Sequence, residues 1–352
     1  MIANKTFSGI DLSSDTATQP TMGMKIAMMS ALLGDEQKNE DPTTSKLELL
    51  VANLLGQDYA IFLPSATMAN IIAIRLLCQP GDVLITAEHS HLLMAEGGGP
   101  AIHSGVLVKP IQTGTGVFTG EDICAAYRRS KSPRCPRTNC VSVENTTNLN
   151  GGIAWELTAL HSVLMAAQEL DLRTHLDGSR LFNAAIKINI NSKKLASNFD
   201  TVTLCLSKGL GCPVGAILAF KKNYYESAIR LKHLFGGALR QSGMLAAAGL
   251  YALEHNVLRL AEDHHNAEYL FEKLNAEVKE ISLEHKALTT NMVFFNFSKS
   301  HLAAYKFHQL CIELGLRLSH IEKDRFRAVT HLGINKNAID KAVAIIKKVV
   351  KS

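Results

Sequence analysis

The chain of 352 residues is 47% hydrophobic and 20% charged, enough to bury a sizeable core in one large domain and a smaller one. Its seven cysteines are scattered with no Cys-x-x-Cys pair, and its longest apolar stretch, Met244 to Leu253, is too short to span a bilayer, so a disulfide framework and a membrane span are excluded. The net charge of +5 includes one dense basic run, from Arg128 to Arg137, which lacks the breadth of a nucleic-acid face but suits anionic substrates and a phosphorylated cofactor.

Apolar periodicity predicts alternating elements along the first two thirds of the chain. Helices are expected at Gly23 to Leu33, Ser45 to Leu55, Met68 to Leu77, Asp122 to Arg129, Leu157 to Leu170 and Leu181 to Ile186. Between them fall strands at Tyr59 to Leu63, Val83 to Thr86, Gly105 to Pro110, Asn139 to Val143, Arg173 to Leu176, Thr201 to Leu206 and Ala216 to Phe220. This alternation predicts an α/β fold with a mainly parallel sheet between helices. After Gly243 the pattern changes. A long helix from Met244 to about Lys279, broken near His255, precedes a strand at Val293 to Phe297, a helix at Leu302 to Leu314, a strand at Ala328 to Leu332 and a helix at Ala338 to Val350. The expected division is a large domain, 1–245, and a smaller C-terminal α+β domain, 246–352. Met1 to Gly9 is short and polar, so no secretory signal is expected and the cytoplasm is the expected compartment.

Two strand ends carry chemistry. Ser207-Lys208-Gly209 closes one apolar run, and Asp177 closes His175-Leu176-Asp177. A lysine amine and a carboxylate placed so suit a pyridoxal phosphate site, where the amine forms a Schiff base and the carboxylate keeps the pyridine nitrogen protonated. Taken singly, Lys208 reads as a solvated lysine and Asp177 as a turn residue. Pro64-Ser65-Ala66-Thr67 follows a strand and opens a helix, which makes either an anion site or a plain helix cap. Cys135 and Cys140 lack two further ligands at a matching spacing, so no metal site is expected.

The order of motifs Ser14-Asp15-Thr16, Glu40-Asp41-Pro42-Thr43, Thr67-Met68-Ala69-Asn70, Ser90-His91, Glu144-Asn145-Thr146, Asp177-Gly178-Ser179-Arg180, Ser207-Lys208-Gly209 and Gly236-Gly237-Ala238-Leu239-Arg240-Gln241 resembles the L-threonine aldolase family of pyridoxal phosphate enzymes. The resemblance runs from Asp11 to His331 and implies the fold type I, transferase-like architecture with subunits joined as homodimers or homotetramers. It implies Lys208 as the Schiff-base lysine, Asp177 at the pyridine nitrogen and His91 stacked on the ring, with His89 as the competing histidine. Ser65, Ala66, Thr67, Ser207 and Arg240 would hold the cofactor, Arg240 reaching a phosphate that could belong to a neighbouring subunit. Ser14, Arg180 and Arg327 would hold the substrate carboxylate, Arg180 also bordering the cofactor and Arg325 lying close enough to be confused with Arg327.

The implied activity is cleavage of L-threonine or L-allo-threonine to glycine and an aldehyde. The chain departs from the family pattern at several points. Thr147 stands where a histidine commonly follows Glu-Asn-Thr, and a threonine cannot act as a base near neutral pH. Lys38 replaces a usual tyrosine, Leu92, Leu93, Met94 and Ala95 replace usual aromatics, Ser13 replaces an arginine, and Ala66 replaces a glycine, where a methyl asks for negative φ. These changes leave open a phenylserine-type aldolase, an amino-acid racemase or a β-eliminating enzyme, and a non-catalytic pyridoxal phosphate binder. With Thr147 in place of the histidine, His91 or an ordered water is the expected proton acceptor.

Overall fold

A computed structural model describes residues 7–129, 132–284, 290–297 and 302–351. Ser130 and Lys131 of the basic run, and the polar start before Phe7, lie outside them.

Seven strands form the central sheet: β1 (Tyr59–Leu63), β2 (Val83–Ala87), β3 (Leu107–Ile111), β4 (Thr138–Glu144), β5 (Arg173–Gly178), β6 (Thr201–Cys205) and β7 (Ala216–Phe220). Their order is β1-β7-β6-β5-β4-β2-β3. All neighbours are parallel except those of β7, which runs antiparallel to both β1 and β6. The reversal has a local cause. No helix separates β6 from β7, and the loop between them turns straight back, with the Leu206 amide donating to the Gly215 carbonyl at 3.0 Å; a parallel return would need a crossover.

Both faces of this sheet are buried, as parallel sheets require. Alternate residues feed different cores: Phe62, Ile85, Val141 and Val202 pack on one side, and Ile61, Leu63, Leu84 and Leu218 on the other. The first side is covered by helices including α1 (Pro42–Leu55) and α3 (Leu157–Glu169), the second by α2 (Ala66–Leu77). Helix α4 (Leu181–Lys187) follows β5.

The expected long helix is two, α5 (Gly243–His255) and α6 (Leu260–Glu277). The break has a clear anchor, since the buried Asn256 side chain donates to the Leu210 carbonyl at 2.7 Å. Beyond it, β8 (Ile281–Leu283), β9 (Met292–Phe297), β10 (Ser319–Glu322) and β11 (Arg325–Val329) make an antiparallel sheet in the order β10-β11-β9-β8. Together with α6, α7 (Ala304–Glu313) and α8 (Lys336–Val350) it encloses a separate core around Phe295, Phe307, Phe326 and Ile339. Two sequence expectations are corrected here. The final strand is Arg325–Val329, so Arg327 lies inside it and does not precede it, and the helices of this region share their sheet with β8 and β10, which periodicity did not reveal.

The head of the chain ties the two parts together. Ile10–Asp11 pairs in parallel with Leu316–Arg317, the Val329 amide donates to the Leu12 carbonyl at 2.8 Å, and Thr18 donates to the carbonyl of Lys208 at 2.9 Å.

Candidate functional site

The candidate residues converge at the carboxyl ends of β4, β5 and β6, where ligands bind in open α/β sheets. Asp177 is buried near the end of β5. Its two oxygens accept from the Asn70 amide nitrogen at 2.9 Å and the Ser179 backbone at 3.1 Å. Burial acts to raise its pKa, but the positive charge of Lys208, with a contribution from His91, outweighs it and holds the carboxyl below its ordinary value. A buried carboxylate kept ionised is the hydrogen-bond acceptor that a protonated pyridine nitrogen needs. Lys208 itself is half-buried in the loop after β6.

Asn70, from the first turns of α2, organises what lies behind Asp177. Its amide nitrogen also donates to Glu96 at 2.8 Å, and its oxygen meets His175 Nε2 at 3.2 Å. This network fixes the His175 tautomer: Nε2 donates to Asn70, while Nδ1, 2.8 Å from the Thr201 hydroxyl, accepts. Burial lowers the His175 pKa to about 4, so the ring is neutral at physiological pH. Glu96 in turn meets His91 Nδ1 at 2.8 Å, and this bond leads the causes that raise the His91 pKa. His89 is separated from the cluster, exposed beside Glu88 at 3.8 Å. Ligand atoms of His91, Glu96 and Asp177 lie within 4.8 Å of one another, a span that a cation could bridge; protein donors already engage the oxygens on the Asn70 side.

Ser65 caps α2, its side chain accepting from the Met68 amide at 3.2 Å. Ala66 is the first helical residue and is not among the residues with positive φ, so its methyl group imposes no strain on the turn. The amides of this exposed helix start, with Thr67 beside them, remain available to an anion. The loop carrying Gly236 and Gly237 packs next to Met68, but Arg240, which follows it, is largely exposed and pairs with Asp35 at 3.2 Å. Ser207 lies beside Cys205, its hydroxyl 3.5 Å from the thiol.

Three residues were expected to hold a substrate carboxylate. Ser14 caps the short turn Asp15–Ala17. Arg180 is fully buried, and its Nε and Nη2 grip Asp15 at 2.7 and 2.8 Å, which leaves only the rest of the guanidinium for a ligand. Burial works to raise the Asp15 pKa, yet Arg180 holds it far below the ordinary carboxylate range. Arg327 reaches Asn148 at 2.7 Å and the Ser13 carbonyl at 3.1 Å, while its Nε is a buried donor with no partner among the described residues. Arg325 is engaged elsewhere, by Glu284 at 2.9 Å.

Thr147 is buried, its hydroxyl donating to the Asn150 carbonyl and accepting from the Ile153 amide. Both functions of that hydroxyl serve the turn. Several polar residues were missed as site members by sequence reasoning, Asn70 among them. Asp15 and Glu144 stood within quoted motifs without a role, and Glu96 precedes Gly97-Gly98-Gly99 in a stretch read only for its lost aromatics.

The family model of the beta-eliminating lyases matches residues 11–298. The chain belongs to that family. Relatives of this lyase include a low specificity L-threonine aldolase of Escherichia coli, 36% identical over 95% of this chain and 97% of its own. A low-specificity L-threonine aldolase 1 of Arabidopsis thaliana is 36% identical over 92% and 91%. Among solved structures, a threonine aldolase of Leishmania major has TM-score 0.82 at 19% identity, covering 97% of this chain and 99% of that one. A serine palmitoyltransferase of S. paucimobilis with a bound PLP–myriocin aldimine has TM-score 0.74 at 16% identity, covering 97% and 88%. These structures establish the fold type I architecture. The buried ionised carboxylate, the adjacent lysine and the free helix start fit pyridoxal phosphate.

Proposed function

We propose that this chain is a carbon–carbon lyase, a pyridoxal phosphate-dependent aldolase that cleaves L-threonine and L-allo-threonine to glycine and acetaldehyde. The observation that carries the reading is Asp177, a buried carboxylate held ionised at a strand end beside Lys208, in a chain whose relatives at 36% identity are named low-specificity L-threonine aldolases. The cofactor supplies an electron sink for the bond that breaks at Cα.

The protein's part is to bind and orient. Asp177 would stand at the cofactor nitrogen and His91 over its ring, and Ser65, Ala66, Thr67 and Ser207 would hold its phosphate end. Lys208 carries the reactive amine. The open Nε of Arg327, what Arg180 leaves free, and Ser14 would bind the substrate carboxylate and so orient the bond that breaks at Cα. Arg240, exposed and paired with Asp35 in its own chain, would serve a neighbouring subunit in a homodimer or homotetramer. No helix among the described residues is long and apolar enough to cross a membrane, and the cytoplasm is the compartment proposed.

Absorbance of the purified protein with added cofactor, repeated with glycine, L-threonine and L-allo-threonine while acetaldehyde is assayed, tests this. Aldehyde release is expected from one or both hydroxy amino acids. Thr147 favours one second reading, a different reaction on the same scaffold. Pyruvate and ammonia, or inverted stereochemistry, in place of aldehyde would establish that reading instead.

A further inference from the structure

Glu144 closes β4 in register with Asp177 on β5. Residues paired across adjacent parallel strands project to the same face, so the two carboxyls stand side by side at the mouth of the site. Glu144 is buried, and each of its oxygens accepts one backbone hydrogen bond: Oε1 from His91 at 3.2 Å and Oε2 from Asn148 at 3.0 Å. A carboxylate oxygen can accept more than one, so a lone pair stays open on each. Asn148 also holds Arg327. The side chain therefore sits between the residue that covers the cofactor ring and the turn that anchors the carboxylate-binding arginine.

The charged groups facing it are His91, Asp177, Arg180 and Arg327. Burial, then the Asp177 charge, push the Glu144 pKa up to about 7, against the Asn148 hydrogen bond and the cations. An acid–base group works best when its pKa lies near the working pH. The residue that carries the missing histidine's position, Thr147, has its hydroxyl engaged on both sides.

We propose that Glu144 accepts the β-hydroxyl proton of the substrate during carbon–carbon cleavage, and so stands in for the histidine absent at Thr147. This rests on the aldolase reading above. In the step, the hydroxyl O–H bond breaks and its proton passes to a Glu144 oxygen. The O–H electron pair becomes the second bond of the aldehyde carbonyl, the Cα–Cβ bond breaks, and its pair remains on the Cα side. A proton added later at Cα gives glycine, and Glu144 gives up the proton it took, so the sum is substrate to glycine plus aldehyde with no oxidant or reductant.

Glu144→Gln tests it in the cofactor-loaded enzyme. Glycine has no β-hydroxyl, so exchange of its α-hydrogen in heavy water, followed by proton NMR, isolates the remaining machinery. Expected are cofactor affinity within about twofold of the parent by absorbance titration, glycine exchange within about tenfold, and aldehyde release lower by about a hundredfold to ten-thousandfold. Glu144→Asp should recover part of the loss, and the acid limb of the parent's pH profile should vanish in the glutamine variant. Unchanged cleavage, an equal fall of cleavage and exchange, or loss of cofactor affinity in both variants would overturn the proposal. A parent that binds cofactor and exchanges glycine but releases no aldehyde would sink the aldolase reading first, and this proposal with it.

Discussion

Asp15 and Arg180 form a buried ion pair whose members lie far apart in sequence. Removing one partner leaves the other charge buried and uncompensated, so Asp15→Ala should lower unfolding stability by about 3–5 kcal/mol, measured by denaturant unfolding. Because the Asp15 pKa is depressed on folding, its stabilisation is complete above the ordinary carboxylate value and is lost as the pH falls through the folded value. Glu144 has the opposite sign. Its carboxyl is raised from 4.5 to about 7, so the folded state binds the extra proton between those values and loses stability as the pH rises through them. The unfolding free energy of Glu144→Gln relative to the parent should therefore grow in the variant's favour by about 3 kcal/mol from pH 4.5 to above pH 7. Asn70→Leu belongs to the same scale: without the bridging amide, Asp177 and Glu96 face each other unscreened, and cofactor affinity should fall at least tenfold in an absorbance titration. A variant that binds as the parent does would show that Asn70 is not what holds Asp177 in place.

Asp41 and Gly178 show how elements depend on single positions. Asp41 caps α1 through the Thr44 amide at 2.8 Å and also accepts from Gly34 and Gly243, both at 3.1 Å. It thus joins the start of α1 to the start of α5, and Asp41→Ala should cost more than the loss of one cap, about 2 kcal/mol or above in thermal unfolding. At Gly178 a Cβ would lie 2.7 Å from the Thr203 carbonyl oxygen on β6. Gly178→Ala must push β5 and β6 apart beside Asp177, and a loss of about 1–3 kcal/mol is expected together with weaker cofactor binding. The elements themselves were largely legible, because the period of apolar residues changes with the element. Strand β5 and its Asp177 could be read from His175-Leu176-Asp177-Gly178, and the break after His255 from a lapse in helical pattern. The partners of those side chains could not. Arg180 gave no sign that Asp15 would occupy two of its nitrogens, since that contact arises only when the head of the chain lies across the sheet. Glu96 was hidden for the same reason: its carboxyl meets His91, Asn70 and, through Asn70, Asp177 only after α2 and β5 are packed together. Strands β8 and β10 are short and lie at sheet edges, where little apolar alternation is needed, so they left no pattern to read.

Among the described residues, the molecule presents an apolar surface that the single chain leaves uncovered. Met22, Ile26 and Met29 recur at helical spacing on the helix Met22–Met29, and Leu32 follows close by; all four are more than half exposed. An exposed patch of this kind marks an interaction site, and a second copy of the chain is the partner that the proposed oligomer supplies. Ile26→Lys combined with Met29→Lys should shift the protein to a smaller species in light scattering coupled to size exclusion. If the species is unchanged, the subunits meet elsewhere.

The segment from Ile10 to Thr18 leaves the ribosome before the sheets it joins and finds its partners last. The backbone groups of Asp11 and Leu12 find their partners only once Arg317, Val329 and His331 have been made, since His331 donates to the Asp11 carbonyl at 2.9 Å and Val329 to that of Leu12. The central sheet can form during synthesis, but Ser13, whose carbonyl receives Arg327, cannot be seated while the tail is still inside the ribosome. A nascent chain can therefore hold Asp177 and Lys208 in place and still lack Arg327, one of the three residues proposed to hold the carboxylate. The proposed carboxylate site is completed only on release, and a chain ended early, before Arg327, never completes it.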